Sequence, residues 1–345
     1  MEKEANSYIP PFEVTEEILS LVAEVSEIVG HLSATIKALP SFQLRKTNRI
    51  RTIQSSLAIE NNSLSVEQVT DILEGKRVLG APDEILEVKN AIDAYKLLLH
   101  LNPFSEKDLL KAHKSMMNGL VKENGCYRRG SVGVFGKKGL VHLAPPADRV
   151  PFLMSELIAW SKTSKTHPLV KSCVFHYEFE FIHPFADGNG RIGRMWQTLL
   201  LMQWNPIFAW IPVETIVKEH QQGYYDAIKK SDNEGSSTSF IVFMLSCLKQ
   251  ALHEYLVSNK KSNLKSNQKS NQKSNQKILA AMQENPVVTI RELQEIVGLS
   301  ESGVKKIIKQ LRTEGVIKRE GGAKGGRWRV MEKEYKRHLL QYFDI

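Results

Sequence analysis

Apolar residues recur at helical spacing from Val14 to Leu39, at Ile18, Leu21, Val22, Val25, Ile28, Val29 and Leu32, and Pro40 closes the run. This predicts a helix with one buried face. A second helical stretch runs from Phe42 to Glu60 and stops at Asn61-Asn62; Ser65 and Gln68 are then spaced as a capping box for a helix carrying Val69, Ile72 and Leu73. Further helices fit Ile85 to Leu101 and Glu106 to Leu120. Between Asn124 and Pro146 the pattern changes. Gly125, Gly130, Gly133, Gly136 and Gly139 alternate with Val132, Val134, Phe135, Leu140, Val141 and Leu143, which predicts a short hairpin or flap. Helical periodicity returns through Trp160, again from Leu169 to Ile182, and dominates to about Leu256.

From Lys261 to Lys277 the chain repeats Lys-Ser-Asn-Gln with one Leu264 variant, offers no apolar face to bury, and reads as a flexible tether. Beyond it, Thr289 and Glu292 form a capping box before Leu293, Ile296 and Val297, and Gly298-Leu299-Ser300 makes a turn. Val304, Ile307, Ile308 and Leu311 then follow the spacing of one helix face. Val316-Ile317 and Trp328 to Val330 flank a glycine-rich loop, so helix, turn, helix and hairpin describe a winged helix. The expected fold class is mainly α: an all-helical core with a short β-hairpin flap, followed by a C-terminal winged helix-turn-helix domain. The boundaries drawn are 1–100 for an N-terminal helical region, 101–256 for the core, 257–277 for the linker and 278–345 for the winged helix.

A chain of 345 residues with 42% hydrophobic and 25% charged content can bury a core, and its mean hydropathy of -0.28 is that of a globular protein. Cys126, Cys173 and Cys247 are odd in number and widely separated, giving neither a disulfide framework nor a zinc spacing. Glu2 and Glu4 stand where a signal peptide would be basic, and no uninterrupted membrane-length run is evident, so a cytoplasmic location without membrane partners is expected. The net charge of +9 gathers after Lys260, which points the C-terminal part toward a polyanion. Lysines in the repeat itself read more simply as a solvated linker.

The densest chemistry lies in His183-Pro-Phe-Ala-Asp-Gly-Asn-Gly-Arg-Ile-Gly-Arg194. A Gly-Asn-Gly turn at a helix N-terminus lets the N–H groups of Gly188, Asn189 and Gly190 converge on an oxyanion, with the helix dipole behind them. His183 is a base with a near-neutral pKa, and Asp187 is a hard oxygen ligand of the kind Mg²⁺ takes singly. The Asn189 amide is placed to donate to phosphate; Arg191 and Arg194, one helical turn apart, can face the same side and clamp distal phosphates. Phe185 reads as an apolar anchor for the loop.

This segment resembles the signature of the Fic family, His-x-Phe-x-Asp/Glu-Gly-Asn-Gly-Arg-x-x-Arg, at every fixed position. The resemblance implies an all-helical enzyme, a protein adenylyltransferase that transfers AMP from ATP to a Ser, Thr or Tyr hydroxyl of a protein target with Mg²⁺. His183 would take the hydroxyl proton, Asp187 would hold the metal, and Gly188, Asn189, Gly190, Arg191, Gly193 and Arg194 would bind ATP. Gly125-Cys126-Tyr127-Arg128 resembles a further family segment, and Leu140, Val141 and His142 of the flap would pair with an extended target strand. Tyr224, Tyr225 and Asn233 resemble adenine-side residues. Relatives of the fold transfer other nucleotidyl or phosphoryl groups, or remove AMP.

Ser56-Leu57-Ala58-Ile59-Glu60-Asn61 resembles the family's inhibitory Ser/Thr-x-x-x-Glu-Gly/Asn motif, carried on a helix at about 42–62. Ser56, Glu60 and Asn61 are its fixed positions, and Glu60 would compete with the γ-phosphate for Arg194. In the winged helix, Ser302, Lys305, Lys306, Lys309 and Arg312 fall between apolar positions, and Lys324 and Arg327 lie on the wing, as DNA contacts would. A protein-binding winged helix, a homodimer, and a nucleotide-sensing DNA-binding regulator are the competing readings.

Overall fold

The computed structural model describes residues 8–35, 42–131, 133–136, 139–266, 274–313, 315–321 and 325–331. The fold is mainly α. The helices are α1 (Glu16–Thr35), α2 (Phe42–Ile59), α3 (Val66–Leu73), α4 (Pro82–Leu97), α5 (Glu106–Met116), α6 (Val150–Thr163), α7 (Pro168–Ile182), α8 (Asn189–Trp204), α9 (Val213–Glu219), α10 (Gln221–Glu234), α11 (Thr238–Ser266), α12 (Ser274–Glu284), α13 (Ile290–Val297) and α14 (Glu301–Thr313). Two antiparallel ribbons join them: β1 (Gly133–Gly136) with β2 (Gly139–Leu143), and β3 (Ile317–Glu320) with β4 (Arg327–Val330). Chain contacts divide the protein into two compact units, Met1–His31 with Arg45–Tyr255, and Leu32–Leu44 with Leu256–Ile345.

In the first unit α7 is buried nearly all round, from Leu169 and Val170 through Phe175, Tyr177 and Phe179 to Ile182, as a central helix must be. It packs most closely on α8. Gly193 makes that approach possible: a Cβ there would stand 2.6 Å from Glu180 Oε1 and 3.1 Å from the His176 ring. Trp196 Nε1 donates to Pro103 O at 3.1 Å and ties α8 to the turn before α5. An N-terminal strap crosses the same core, where Tyr8 Oη donates to Glu178 Oε2 at 2.5 Å and Ser237 N donates to Pro11 O at 2.9 Å.

α2 docks through polar as well as apolar side chains. Ile50, Ile53 and Leu57 are buried beside Asn48, Thr52, Ser55 and Ser56. Asn48 Nδ2 donates to Trp210 O at 2.9 Å, Ser55 Oγ to Thr215 Oγ1 at 3.2 Å, and the Arg49 guanidinium lies 5.1 Å from the Tyr95 ring centre.

The second unit is the winged helix. Ile278, Met282, Leu293, Val304, Ile308, Leu311, Val316, Ile317 and Trp328 form its core, and Trp328 Nε1 donates to Val288 O at 3.1 Å. The expected capping box is present: Glu292 N donates to Thr289 Oγ1 at 3.2 Å and Thr289 N to Glu292 Oε2 at 2.7 Å. Ile296, expected on the buried face, is 43% exposed, because α13 turns only Leu293 fully inward.

The tether expectation needs correction. α11 runs to Ser266 and α12 begins at Ser274, so the described parts of the repeat are helical, and residues 267–273 lie outside the described chain. Lys and Gln are adequate helix formers and the repeat holds neither Gly nor Pro, so a helix begun elsewhere can continue into it without an apolar face. Within α11, Thr238–Ser258 is long and apolar enough to cross a membrane by length and composition, and half of that window is buried inside the protein.

Buried titratable groups give the first unit a pH signature. Gln197 Nε2 donates to Cys173 Sγ at 3.4 Å, which leaves its oxygen to accept from His176 Nδ1 at 2.7 Å, and His176 Nε2 accepts from Tyr224 Oη at 3.1 Å. Burial pushes His176 down to about 3 and His113, on α5, down to about 4. The unfolded chain takes up those protons near 6.5, so both contributions are full above 6.5 and are lost as pH falls. Glu178 acts oppositely: burial pushes it up to about 7, so the folded protein gains on it as pH falls from 7 to 4.5. For these three groups the net is one proton, about 1.4 kcal/mol per pH unit, to which Glu214, pushed up by burial, and His167, pushed down by it, add in opposite senses. Urea unfolding between roughly pH 6 and pH 5 is expected to show Glu178→Gln losing about 1.4 kcal/mol more per pH unit than wild type; an unaltered slope in the variant would remove Glu178 from the balance.

Candidate active site

The loop between α7 and α8 is held rigid from several sides. His183 ends α7 in the left-handed region, with φ 50 and ψ 60, a conformation that turns the chain sharply and stays only where neighbours enforce it. Arg128 is the enforcer. Its Nε donates to His183 O at 2.8 Å, Nη1 to Gly130 O at 2.9 Å, and Nη2 to Pro145 O at 2.5 Å, while its own N–H donates to Pro184 O at 2.9 Å. One buried guanidinium thus fixes the start of the signature together with both roots of the β1–β2 ribbon. His183 Nδ1 lies 3.3 Å from Glu180 O. A carbonyl only accepts, so this contact assigns the hydrogen to Nδ1 and leaves Nε2 as the basic nitrogen.

Phe185 is fully buried, as an anchor should be, and stacks on His113 with ring centres 3.7 Å apart and planes within 8°. His113 Nδ1 accepts from Gly125 N at 2.9 Å, so Nε2 carries the hydrogen and donates to Asp187 O at 3.0 Å. Its low pKa keeps this tautomer neutral. Gly188, at φ 82, caps α8; a Cβ there would meet Met117 Sδ at 2.6 Å, so glycine is required by space as well as by backbone.

Asn189 corrects one expectation. Its side-chain amide is spent on the backbone of Phe185, accepting from Phe185 N and donating to Phe185 O, both at 2.9 Å. Its main-chain N–H and one remaining Nδ2 hydrogen are left, with the side chain held against the loop. The first-turn amides of α8 have no carbonyl partner within the helix, as at any helix start, and they surround Asp187 at the mouth. The Asp187 side chain is 57% exposed and accepts from Gly188 N at 2.6 Å. One exposed carboxylate beside an N–H-lined turn suits a small hard cation that draws its other ligands from phosphate and water. Among the described residues no three or more His, Cys, Asp or Glu converge as a metal cage.

The two arginines do not form one clamp. Arg191 Nη2 sits 3.2 Å from both Asp187 oxygens and its Nη1 3.1 Å from Glu87 Oε1, whereas Arg194 points to α2. Arg194 Nη2 donates to Glu60 Oε1 at 2.7 Å and to Ser56 O at 2.9 Å, and its Nε donates to Ser56 Oγ at 3.2 Å. Burial, the largest single influence, would lower the Arg194 pKa, but the Glu60 charge and hydrogen bond together with Tyr224 and Glu180 outweigh it and the net direction is up. Gly190 clears the ground: a Cβ there would collide with the Glu60 carboxylate and with Arg194 Nη1.

Glu60 is delivered by the way α2 ends. Asn61 adopts φ 70, Asn61 N donates to Ala58 O at 3.2 Å and Asn62 N to Leu57 O at 3.1 Å, the paired bonds of a Schellman stop. Lys218 Nζ and Gln221 Nε2 take the next open carbonyls, Ala58 O at 2.7 Å and Ile59 O at 2.9 Å.

Gly193 belongs to the α7–α8 contact described above and has no room for a ligand. Tyr224 is likewise a core residue, 2% exposed and bonded to His176, because its face of α10 packs on Phe240. Tyr225 is 43% exposed and its Oη lies 3.4 Å from Ile59 O, at the end of α2; Asn233 is exposed two turns further along α10. Leu140, Val141 and His142 lie on β2, where the register slips between Val134 and Phe135 and leaves Val141 as the extra residue. Ser302, Lys305, Lys306, Lys309, Arg312 and Arg327 are all exposed, and Lys305 Nζ reaches Glu301 Oε1 at 2.6 Å; Lys324 lies outside the described residues. His113, Glu87 and Asn62 were given no role by sequence reasoning, since nothing in their local pattern marks them.

A sequence profile of the Fic/DOC family matches residues 103–201, and one described as winged helix-turn-helix DNA-binding matches residues 272–318. Curated relatives named protein adenylyltransferase Fic, from Culex quinquefasciatus and Aedes aegypti, are 33% and 32% identical over 218 residues, 60% of this chain. The chain spans only 41% and 42% of their length. The crystal structure of a Fic family protein from Desulfovibrio desulfuricans G20 is similar throughout, at 41% identity and a TM-score of 0.69, with 94% of this chain and 99% of that one covered. Likeness at that identity over nearly the whole of a relative goes beyond a shared loop, and the chain belongs to the Fic family.

Proposed function

We propose that this protein transfers AMP from ATP to a hydroxyl side chain of a protein target, and that Glu60 restrains the reaction. The observation that carries the reading is the bond from Arg194 to Glu60 beside an N–H-lined turn, with His183 at the other end of the same loop. The names of the curated relatives support the choice of reaction. The target hydroxyl would give its proton to His183 Nε2 while its oxygen bonds the α-phosphorus, and the bond from that phosphorus to the bridging oxygen would break, so that diphosphate leaves with the electron pair. Asp187 would hold Mg²⁺ jointly with the phosphates, and the ion would neutralise their charge. The γ-phosphate would need Arg194, which it can have only when the Glu60 carboxylate withdraws. Glu60→Gly incubated with ATP and Mg²⁺ is expected to label itself at least roughly tenfold more than wild type by mass spectrometry, with added mass of one AMP. His183→Ala in that background should lower labelling by about 10²- to 10⁴-fold. Equal labelling of Glu60→Gly and wild type would overturn the restraint, and a different added mass would overturn the donor.

The exposed basic face of α14 favours a second role for the C-terminal unit, contact with the DNA backbone and major groove. For about four phosphate contacts the logarithm of affinity should fall with the logarithm of salt at a slope of roughly -4. Lys306→Glu with Lys309→Glu should reduce that slope by about two. Affinity independent of salt would leave the helix as a protein-binding surface.

A further inference from the structure

Asn62, two residues past Glu60, is joined by hydrogen bonds to the carboxylate at the mouth of the site. Asn62 Nδ2 donates to Glu87 Oε2 at 2.8 Å and to Glu84 O at 3.1 Å; its Oδ1 accepts from Leu64 N at 3.1 Å. The other Glu87 oxygen accepts from Arg191 Nη1 at 3.1 Å, and Arg191 Nη2 closes on both Asp187 oxygens at 3.2 Å. Asn62 is 7% exposed and the Arg191 side chain 4%, so the network is sheltered at Asn62 and Arg191 and opens to solvent at Asp187.

Two carboxylates share one guanidinium here, and Asn62 decides how the sharing falls. While Asn62 holds Oε2, Glu87 meets Arg191 through a single oxygen and Arg191 Nη2 stays paired with both Asp187 oxygens. If Asn62 left, both Glu87 oxygens could take Arg191 in a two-pronged bond, the stronger geometry for guanidinium and carboxylate. Asp187 would then lose its share of that guanidinium. Resting on the reading of Asp187 as a metal ligand, we infer that Glu87 is a positioning residue through which the turn after α2 sets cation affinity at Asp187. The restraint has two arms: Glu60 contests the γ-phosphate, and Asn62, through Glu87 and Arg191, keeps the metal carboxylate occupied. The coupling is reciprocal, so a cation at Asp187 loosens the turn that carries Glu60.

ADP lacks the phosphate for which Glu60 competes, so Mn²⁺ binding in the presence of saturating ADP isolates the second arm. Electron paramagnetic resonance on the full chain reads the dissociation constant of protein-held Mn²⁺. Asn62→Asp keeps the acceptor for Leu64 N but removes the donor to Glu87, and is expected to tighten Mn²⁺ by about fivefold or more. Adding Glu87→Gln should abolish that gain. Glu87→Gln alone should weaken Mn²⁺ below wild type, because a neutral amide oxygen holds Arg191 less strongly than a carboxylate and leaves more of it to Asp187, and this variant carries the test if Asn62→Asp fails to fold. Equal Mn²⁺ affinity in wild type and Asn62→Asp, or a gain that survives Glu87→Gln, would overturn the coupling. Mn²⁺ binding indifferent to Asp187→Ala would instead overturn the metal reading, and this inference with it.

Discussion

A guanidinium buried as deeply as that of Arg194 needs either a full set of carbonyls, as Arg128 has, or an anion beside it, and the site is organised around which anion that is. In the structure the partner is Glu60, one-third exposed, at 2.7 Å. Removing a partner from a buried ion pair costs about 3 kcal/mol or more, since the remaining charge is stranded away from water. A departing Glu60 therefore leaves a site that favours whatever anion arrives next. The features around the pair serve it: Ser56 takes two further donors of Arg194, Gly190 gives the carboxylate space, and the left-handed Asn61 stops α2 where Glu60 faces α8.

Helix positions were legible where a partner-independent rule applies. Capping boxes at Ser65 and Thr289 could be seen because donor and acceptor lie three residues apart, and both formed. The signature loop could be read as an anion site because glycines and a helix start explain one another locally. Roles that depend on a distant partner could not be read this way. Tyr224 and Tyr225 are neighbours with equal claims in the sequence, yet the packing of α10 on Phe240 buries one and leaves the other at the end of α2. Arg191 could not be separated from Arg194 by spacing alone, because what separates them is Glu87, 104 residues away.

The amide of Asn189 shows the same limit at shorter range. Donating to a phosphate and clasping the backbone of Phe185 require the same side chain at the same position, and only the fold shows that the clasp has taken both atoms. A loop that must hold an imidazole, a carboxylate and a row of amides in one arrangement has little tolerance for movement, and the clasp limits it from within while the His113 stack limits it from below.

Arg128 adds a mechanical link. Its single side chain grips the carbonyls of Gly130 and Pro145, at the two feet of the ribbon, and the carbonyl of His183. A shift at either foot of the ribbon is therefore carried by one side chain to the backbone on which the imidazole is mounted, so the two are geared together through a single pin.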